Sequence, residues 1–197
     1  MQDSIQIRPA QPEDVERAAL LLYSAYTHTH VSYPLREEYE NGFIERLEHF
    51  FRQDGNRFSY QNIQVAEHNS EVVGLVLSFG GQDEARLNAA VGSWLEREAQ
   101  DDEWYVDALA VLKHWEHKGI GTRLLQTAEQ QARQHHYPKI ALHVAQGNQE
   151  ALALYTHLHY VVTQQTYLYH RPHIRMVKTL ANGEQRNNGT GSTHKLP

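Results

Sequence analysis

The stretch 105–134 constrains the fold most, because a strand, a glycine turn and a helix follow one another in it. Residues 105–111 are apolar and β-branched at two positions, which is typical of a short buried strand. After the turn, apolar residues recur at helical spacing, at Ile120, Leu124, Ala128 and Ala132. A strand that leads into an amphipathic helix predicts an α/β fold, with the helix packed against a sheet.

The turn between this strand and this helix contains Gly119 and Gly121, directly after Lys118. The first amide N–H groups of a helix have no partner within the helix, and the helix dipole favours negative charge there. Glycines lack a Cβ and let a phosphate come close to the backbone, while Lys118 adds a positive charge. The pattern predicts an anion site, unless the glycines serve only the packing of a tight turn.

Two familiar phosphate motifs are excluded at this turn. The chain has no G-x-x-x-x-G-K-[ST] pattern, which excludes a P-loop. Leu124 stands where the third glycine of a G-x-G-x-x-G pattern would be, which excludes the dinucleotide-binding fingerprint.

The turn and its strand resemble the acetyl-CoA signature of the GNAT acetyltransferase superfamily, Q/R-x-x-G-x-G/A after a strand. Glu116 takes the first position of that signature and places a negative charge near the expected pyrophosphate. The resemblance implies that acetyl-CoA is a co-substrate. The residues it assigns to binding are Leu109, Ala110, Val111, His117, Lys118, Gly119, Ile120, Gly121 and Thr122.

A second stretch, 148–155, resembles the other landmark of that family, N-x-x-A-x-x-L-Y. The family usually continues with Gly-Phe, where this chain has His159 and Tyr160. The resemblance implies that Asn148 and Tyr155 border the acetyl-CoA and that Tyr155 is the general acid that protonates the leaving thiolate. The alternative is a Tyr155 that only packs on the apolar face of its helix.

The resemblance covers roughly residues 4–180 and implies a mixed, mainly antiparallel sheet of seven strands flanked by helices. We expect a GNAT domain over 1–181 and a disordered C-terminal tail over 182–197, which is poor in apolar residues. The expected strands are 4–8, 63–67, 72–77, 105–111, 138–144, 160–169 and 174–180, of which 105–111 and 138–144 pair in parallel. The expected helices begin near Pro12, Leu35, Ile120 and Asn148, and a further helix is expected within 82–102.

The acceptor site is expected near the first two helices. In the family this neighbourhood often borders the acceptor, which makes Tyr26, His30 and Tyr33 candidate substrate residues. Trp94 is a candidate wall of the same site. The alternatives are an ordinary polar loop for the first three and a core filler for Trp94.

The sequence leaves two acidic residues as candidates for the general base. Asp107 and Glu103 fall on one side of their strand by period two, and either could take a proton from the amine directly or through water. If that side faces the core, Asp107 is instead a structural hydrogen-bonding residue. Because the chain has no cysteine, we expect direct attack by the amine without a thiolate nucleophile on the protein.

Composition and local sequence limit the kinds of partner and cofactor that we expect. The net charge of −6 argues against nucleic acid. The polar N-terminus and the lack of a long apolar run argue against a membrane and favour a cytoplasmic protein. The fourteen histidines show no H-E-x-x-H pattern, so no metal is expected. Exposed edges of the last strands could pair two subunits into a homodimer.

The resemblance, taken with these patterns, implies an N-acetyltransferase that moves an acetyl group from acetyl-CoA to a primary amine of unidentified structure by direct attack. One alternative is a non-catalytic, regulatory domain that binds an acyl-CoA without turning it over. Another is a transferase for longer acyl chains.

Overall fold

A computed structural model describes residues 4–29, 37–93 and 95–180, and the side chains at 28, 29 and 37–41 are left out of the description. The strands are β1 Gln6–Pro9, β2 Ile63–His68, β3 Glu71–Gly80, β4 Glu103–Val111, β5 Lys139–Ala145, β6 Val161–Leu168 and β7 Arg171–Thr179. The helices are α1 Val15–Thr29, α2 Glu37–Phe51, α3 Glu84–Ala89, α4 Ile120–Gln134 and α5 Gln149–His157.

The seven strands form one sheet in the order β1-β2-β3-β4-β5-β7-β6. The β4–β5 pair is parallel, and the other described pairs are antiparallel. This confirms the mixed, mainly antiparallel α/β sheet predicted from the sequence. Gly74 approaches the neighbouring strand closely, since a Cβ there would lie 3.0 Å from the carbonyl oxygen of Ala110.

Each face of the sheet carries its own apolar core. Helices α1 and α2 cover one face, where Leu22, Phe51 and Leu75 are fully buried. Helix α4 covers the other face, where Ile120 and Leu124 are buried against alternate residues of the same strands. The helical spacing that stands out in the sequence is therefore the packing stripe of α4.

Strands β4 and β5 pair for only part of their length. The pairing joins Glu103–Val106 to Lys139–Leu142 and stops there, although both strands continue. At the same level Asp107 is an extra residue in β4 relative to β3, because Leu77 faces Ala108 and Ser78 faces Val106. The end of the pairing opens a gap between two neighbouring strands in the middle of the sheet.

The helix expected within 82–102 is much shorter than predicted. Helix α3 follows a turn of 3₁₀-helix over Gly81–Asp83 and already ends at Ala89. Gly92, three residues later, has a φ of +148°, so the chain does not return to helical geometry there. The buried carboxylate of Glu84 accepts the N–H groups of Glu98 and Ala99, both at 2.9 Å, and so holds the returning chain in irregular form.

Several predicted residues lie outside the described part of the chain. These are His30, Tyr33, Trp94 and the whole of the predicted tail. Among the helices of the described ranges, none has both the length and the apolar character needed to cross a membrane.

Candidate active site

A cleft of about 1010 Å³ follows the gap between β4 and β5. The ends of both strands, the turn before α4 and the start of α5 form its walls. The predicted binding residues along it are Leu109, Ala110, Val111, His117, Gly119, Ile120, Gly121, Thr122, Asn148 and Tyr155. Lys118 is not among the lining residues; its Nζ atom lies 4.4 Å from the centre of the Trp115 ring.

The turn before α4 presents the free amides of a helix start to this cleft. Gly119 is the N-cap with a left-handed φ of 77°, and among the described residues no side chain caps this helix. His117 also has a positive φ of 58°. The first intrahelical bond joins the N–H of Arg123 to the carbonyl of Gly119 at 3.1 Å. The amides before it have no partner within the helix, and Glu116 lines the cleft beside them.

Helix α5 places Tyr155 on the opposite wall. Asn148 caps this helix by accepting the N–H of Ala151 at 3.1 Å, as its position in the sequence predicts. Tyr155 lines the cleft with only 8% of its surface exposed, and its ring packs 5.9 Å from the ring of Tyr160. Burial raises the pKa of Tyr155 to about 12, so its phenol stays protonated and can donate a hydrogen bond.

A second, smaller pocket of about 100 Å³ adjoins the cleft. Tyr26, Asp107 and His143 line both cavities and therefore mark the place where they meet. The other residues of the small pocket are Phe43, Arg57, Phe58, Leu95, Glu98, Tyr105, Leu168, Tyr169 and His173.

A buried guanidinium organises one side of the small pocket. Arg57 is 1% exposed and donates to Asp107 through Nε at 2.9 Å and through Nη2 at 2.5 Å. Its Nη2 also donates to Glu98 at 2.7 Å, and its Nη1 donates to Glu84 at 3.3 Å. Burial alone would lower the pKa of Arg57, but the charge and hydrogen bonds of Asp107 reverse this and raise it. Arg57 therefore remains charged among these carboxylates.

Asp107, one of the two predicted bases, stands at the junction with its oxygens already engaged. Oδ2 accepts from Nε of Arg57 and from the hydroxyl of Tyr26, the latter at 2.8 Å, and Oδ1 accepts from Nη2 of Arg57. The pKa of Tyr26 is raised, first by burial and then by the charge of Asp107. This arrangement matches the structural alternative that the sequence left open for Asp107.

Glu103, the other predicted base, lies apart from both cavities. Its side chain is fully buried, accepts the N–H of Gln100 at 2.8 Å and forms an ion pair with Arg175. Period two does put it on the same side of β4 as Asp107. It lies at the paired end of the strand, however, and the cavities open only where the pairing stops.

Sequence reasoning missed His143, which follows the last paired residue of β5. Its Nδ1 lies 3.0 Å from the hydroxyl of Tyr105, which donates to Glu98 at 2.6 Å. The pKa of Tyr105 is raised, first by burial and then by the charges of Glu98 and Asp107, so the phenol keeps its proton. Because that single proton goes to Glu98, Nδ1 must carry the hydrogen of the bond to Tyr105, and Nε2 keeps its lone pair.

The imidazole of His143 is held neutral. Burial, and then the charges of Arg175 and His173, lower its pKa to about 4. The one sequence signal for this residue is its place on the strand that pairs in parallel with β4, at the level of Asp107. Without the register, that signal cannot be told from an ordinary strand histidine.

Comparisons with known proteins agree with this geometry. A family model described as the acetyltransferase (GNAT) family matches residues 21–160. A solved N-acetyltransferase from Staphylococcus aureus Mu50 is 25% identical, with a TM-score of 0.75 over 88% of this chain and 100% of that one. No curated protein sequence matches this chain.

Two further structures share the fold at lower identity. An enzyme described only as an acetyltransferase is 22% identical, with a TM-score of 0.68 over 89% of this chain and 100% of that one. PaiA N-acetyltransferase from Thermoplasma acidophilum, crystallised in complex with coenzyme A, is 19% identical, with a TM-score of 0.62 over 90% and 99%. The family match over most of the chain and the shared fold lead to one conclusion: this chain belongs to the GNAT acetyltransferase family and is an N-acetyltransferase.

Proposed function

We propose that the protein transfers an acetyl group from acetyl-CoA to a primary amine by direct attack. The observation that carries this proposal is the meeting of a long cleft with a small, enclosed pocket at Asp107, His143 and Tyr26. Two substrates that enter from the two cavities would bring their reacting atoms together at that junction, as an acyl transfer without a covalent enzyme intermediate requires.

The long cleft fits acetyl-CoA, which supplies an activated thioester when bound. The stretch of β4 from Asp107 to Val111 no longer pairs with β5, so on that side it offers strand-like hydrogen bonds to the amide-containing pantetheine arm. The free amides around Gly119 and Gly121 suit the pyrophosphate, in line with the helix dipole. An amide of β4 that points to the β5 side near the thioester would also serve as the oxyanion donor.

His143 is the base in this proposal, in place of the two acids expected from the sequence. Its Nε2 keeps a lone pair at the junction, and its low pKa leaves the imidazole neutral and ready to accept a proton at physiological pH. The attacking nitrogen becomes strongly acidic once it bonds to the acyl carbon, so a weak base can remove its proton. Asp107 then acts as a positioning residue, held by Arg57 and Tyr26.

Tyr155 is the group that assists the leaving sulfur. With a pKa of about 12 it is a weaker acid than the free phenol expected from the sequence. It therefore acts best as a hydrogen-bond donor to the thiolate as the C–S bond breaks, with the proton moving to sulfur only as negative charge develops there.

Intact-mass spectrometry and product analysis on one sample test the proposal. The protein is incubated with acetyl-CoA alone, and then with acetyl-CoA and a primary amine. Direct attack predicts an unmodified protein in the first case, and equal amounts of CoA and N-acetyl product in the second. An acetylated protein that is competent to pass its acetyl group to the amine would replace direct attack by a covalent route. Bound acetyl-CoA without CoA release across an amine panel would favour the non-catalytic alternative.

A further inference from the structure

The small pocket suits an apolar group better than a charged one. Much of its wall away from the junction is apolar, formed by Phe43, Phe58, Leu95 and Leu168, while Arg57 and Glu98 line another part. Its volume of about 100 Å³ is that of a compact hydrocarbon group. Such a pocket binds a branched or short apolar chain by removing it from water.

The charged groups of the pocket already bind one another. Arg57 faces three carboxylates, those of Asp107, Glu98 and Glu84. A carboxylate on the acceptor would therefore enter a region with an excess of negative charge. Among the described residues that line the pocket, Arg57 is the one guanidinium, and it is committed to those three partners.

The carboxylate oxygens of the pocket also have donors. Glu98 accepts from Arg57, from Tyr105 and, at 2.9 Å, from the hydroxyl of Tyr169. The oxygens of Asp107 accept from Arg57 and Tyr26. A buried ammonium needs several free acceptors to replace its water. Asp107 and Glu98 each accept three hydrogen bonds and keep about one free lone-pair site, so a second ammonium, with three N–H donors, would lose its water beside apolar walls without enough acceptors to replace it.

We infer that the acceptor is a primary amine on a compact, uncharged apolar body, with neither a carboxylate nor a second ammonium group. This inference rests on the proposed function and names the substrate class of that same site. The amine lies at the junction of the cavities beside His143 and Asp107, and the apolar body fills the small pocket. Free alkylamines and the amides of apolar amino acids share this chemistry, while amino acids and polyamines do not.

The test compares kcat/KM for two matched pairs of amines, with values expressed per neutral amine. Leucinamide and leucine differ in one carboxylate, while pentylamine and putrescine are linear chains of equal length that differ in one ammonium. In each pair we expect kcat/KM to be higher by about tenfold or more for the amine without the extra charged group, which corresponds to roughly 1.4 kcal/mol. Equal or better turnover of leucine or of putrescine would overturn the inference while leaving acetyl transfer intact.

Two variants of one wall residue locate the effect in the pocket. Leu168→Trp should fill the space and reduce kcat/KM for isopentylamine by about tenfold or more while acetyl-CoA still binds. Leu168→Ala should enlarge the space and shift the preference toward the larger phenethylamine. Tyr167→Trp is the matched control, because Tyr167 directly precedes Leu168 in β6, is 70% exposed and does not line the pocket. If both Leu168 variants keep the amine preference of the wild type, the apolar part of the acceptor does not lie in the small pocket.

The outcomes separate the proposed function from the substrate class. If acetyl-CoA binds but none of these amines gives an N-acetyl product, this inference fails, and the proposed function fails with it only when a wider panel of primary amines also gives none. If products form but follow the charged member of either pair, only the substrate class is wrong.

Discussion

The Nδ1 atom of His143 lies 3.0 Å from the phenolic oxygen of Tyr105, which binds Glu98 in turn. This contact joins β5 to β4 where their pairing ends, and it leaves the lone pair of the neutral imidazole on Nε2. The tautomer of one histidine is thus set by a phenol and a carboxylate that are distant from it in sequence.

Replacing His143 by Gln tests its role as the base. Gln can still donate to Tyr105 but cannot take a proton, so kcat should fall by about 100-fold or more while the affinity for acetyl-CoA is retained. Steady-state kinetics and calorimetric titration measure the two quantities. Tyr105→Phe should reduce kcat by less, because the imidazole remains and only the hydrogen bond that keeps its proton on Nδ1 is lost. Full activity of His143→Gln would exclude this residue as the base.

The same residue predicts a dependence of stability on pH. The pKa of His143 is lowered from its ordinary value of 6.5 to about 4 in the folded protein. The unfolded chain binds the extra proton between these values, so this residue's contribution is fully present above pH 6.5 and is lost as the pH falls toward 4.

The size of this effect is on the order of 3 kcal/mol, since one pKa unit corresponds to about 1.4 kcal/mol. Urea unfolding of the wild type and His143→Gln at several pH values in this range measures it. The free energy of unfolding should fall more steeply with acid in the wild type than in the variant. Parallel curves for the two proteins would contradict the buried, neutral state of His143.

Tyr155→Phe tests the hydrogen bond to the leaving sulfur. We expect a loss in kcat of about 10- to 100-fold, somewhat below the usual range for a general acid because burial makes this phenol a weak one. The KM for acetyl-CoA should change little, because the ring keeps its packing on Tyr160. A drop in acetyl-CoA affinity with unchanged kcat would instead assign Tyr155 to packing alone.

Glu116 should oppose the binding of acetyl-CoA. It lines the cleft beside the free amides of the α4 start, where the pyrophosphate is proposed to lie. Glu116→Gln removes a like charge at nearly constant shape and should raise the affinity for acetyl-CoA by about 3- to 10-fold, an effect that weakens with added salt. Glu150→Gln is a control, because Glu150 lines the same cleft but belongs to α5 and not to the turn before α4. Equal effects of the two changes would remove the specific link to this turn.

Arg57→Met should destabilise the protein strongly. It leaves the buried carboxylates of Asp107, Glu98 and Glu84 without their shared cation. Loss of one partner of a buried ion pair typically costs about 3–5 kcal/mol. Arg86→Met is the matched control, because Arg86 pairs with Asp83 at an exposed site and should change stability by less than about 1 kcal/mol. Thermal unfolding of both variants decides whether Arg57 holds the junction together.

Local patterns in the sequence are enough to predict most of the fold. The apolar stripe of α4, the cap at Asn148 and the hairpin of β2 and β3 depend on neighbours in the chain, and the structure confirms them. The helix predicted within 82–102 is too long, because the irregular course of the chain after α3 depends on Gly92 and on Glu84 binding the returning chain. Periodicity alone contains neither of these causes.

The long cleft and the small pocket also differ in how far the sequence can predict them. The predicted binding residues that line the long cleft lie in two short stretches, 109–122 and 148–155, so local motifs are enough to predict them. The small pocket instead brings together Arg57, Glu98, Tyr105 and His143 from four separate parts of the chain. Their meeting depends on the register of β4 against β5 and on the bulge at Asp107, which the sequence does not reveal.

The most direct test of the central claim is a quantitative assay of both products from acetyl-CoA and isopentylamine. The account predicts that wild-type protein releases CoA and N-acetylated amine in equal amounts, and that His143→Gln, which still binds acetyl-CoA, makes both slowly. Tight binding of acetyl-CoA by the wild type, with no CoA release above hydrolysis for this or any other amine, would contradict it.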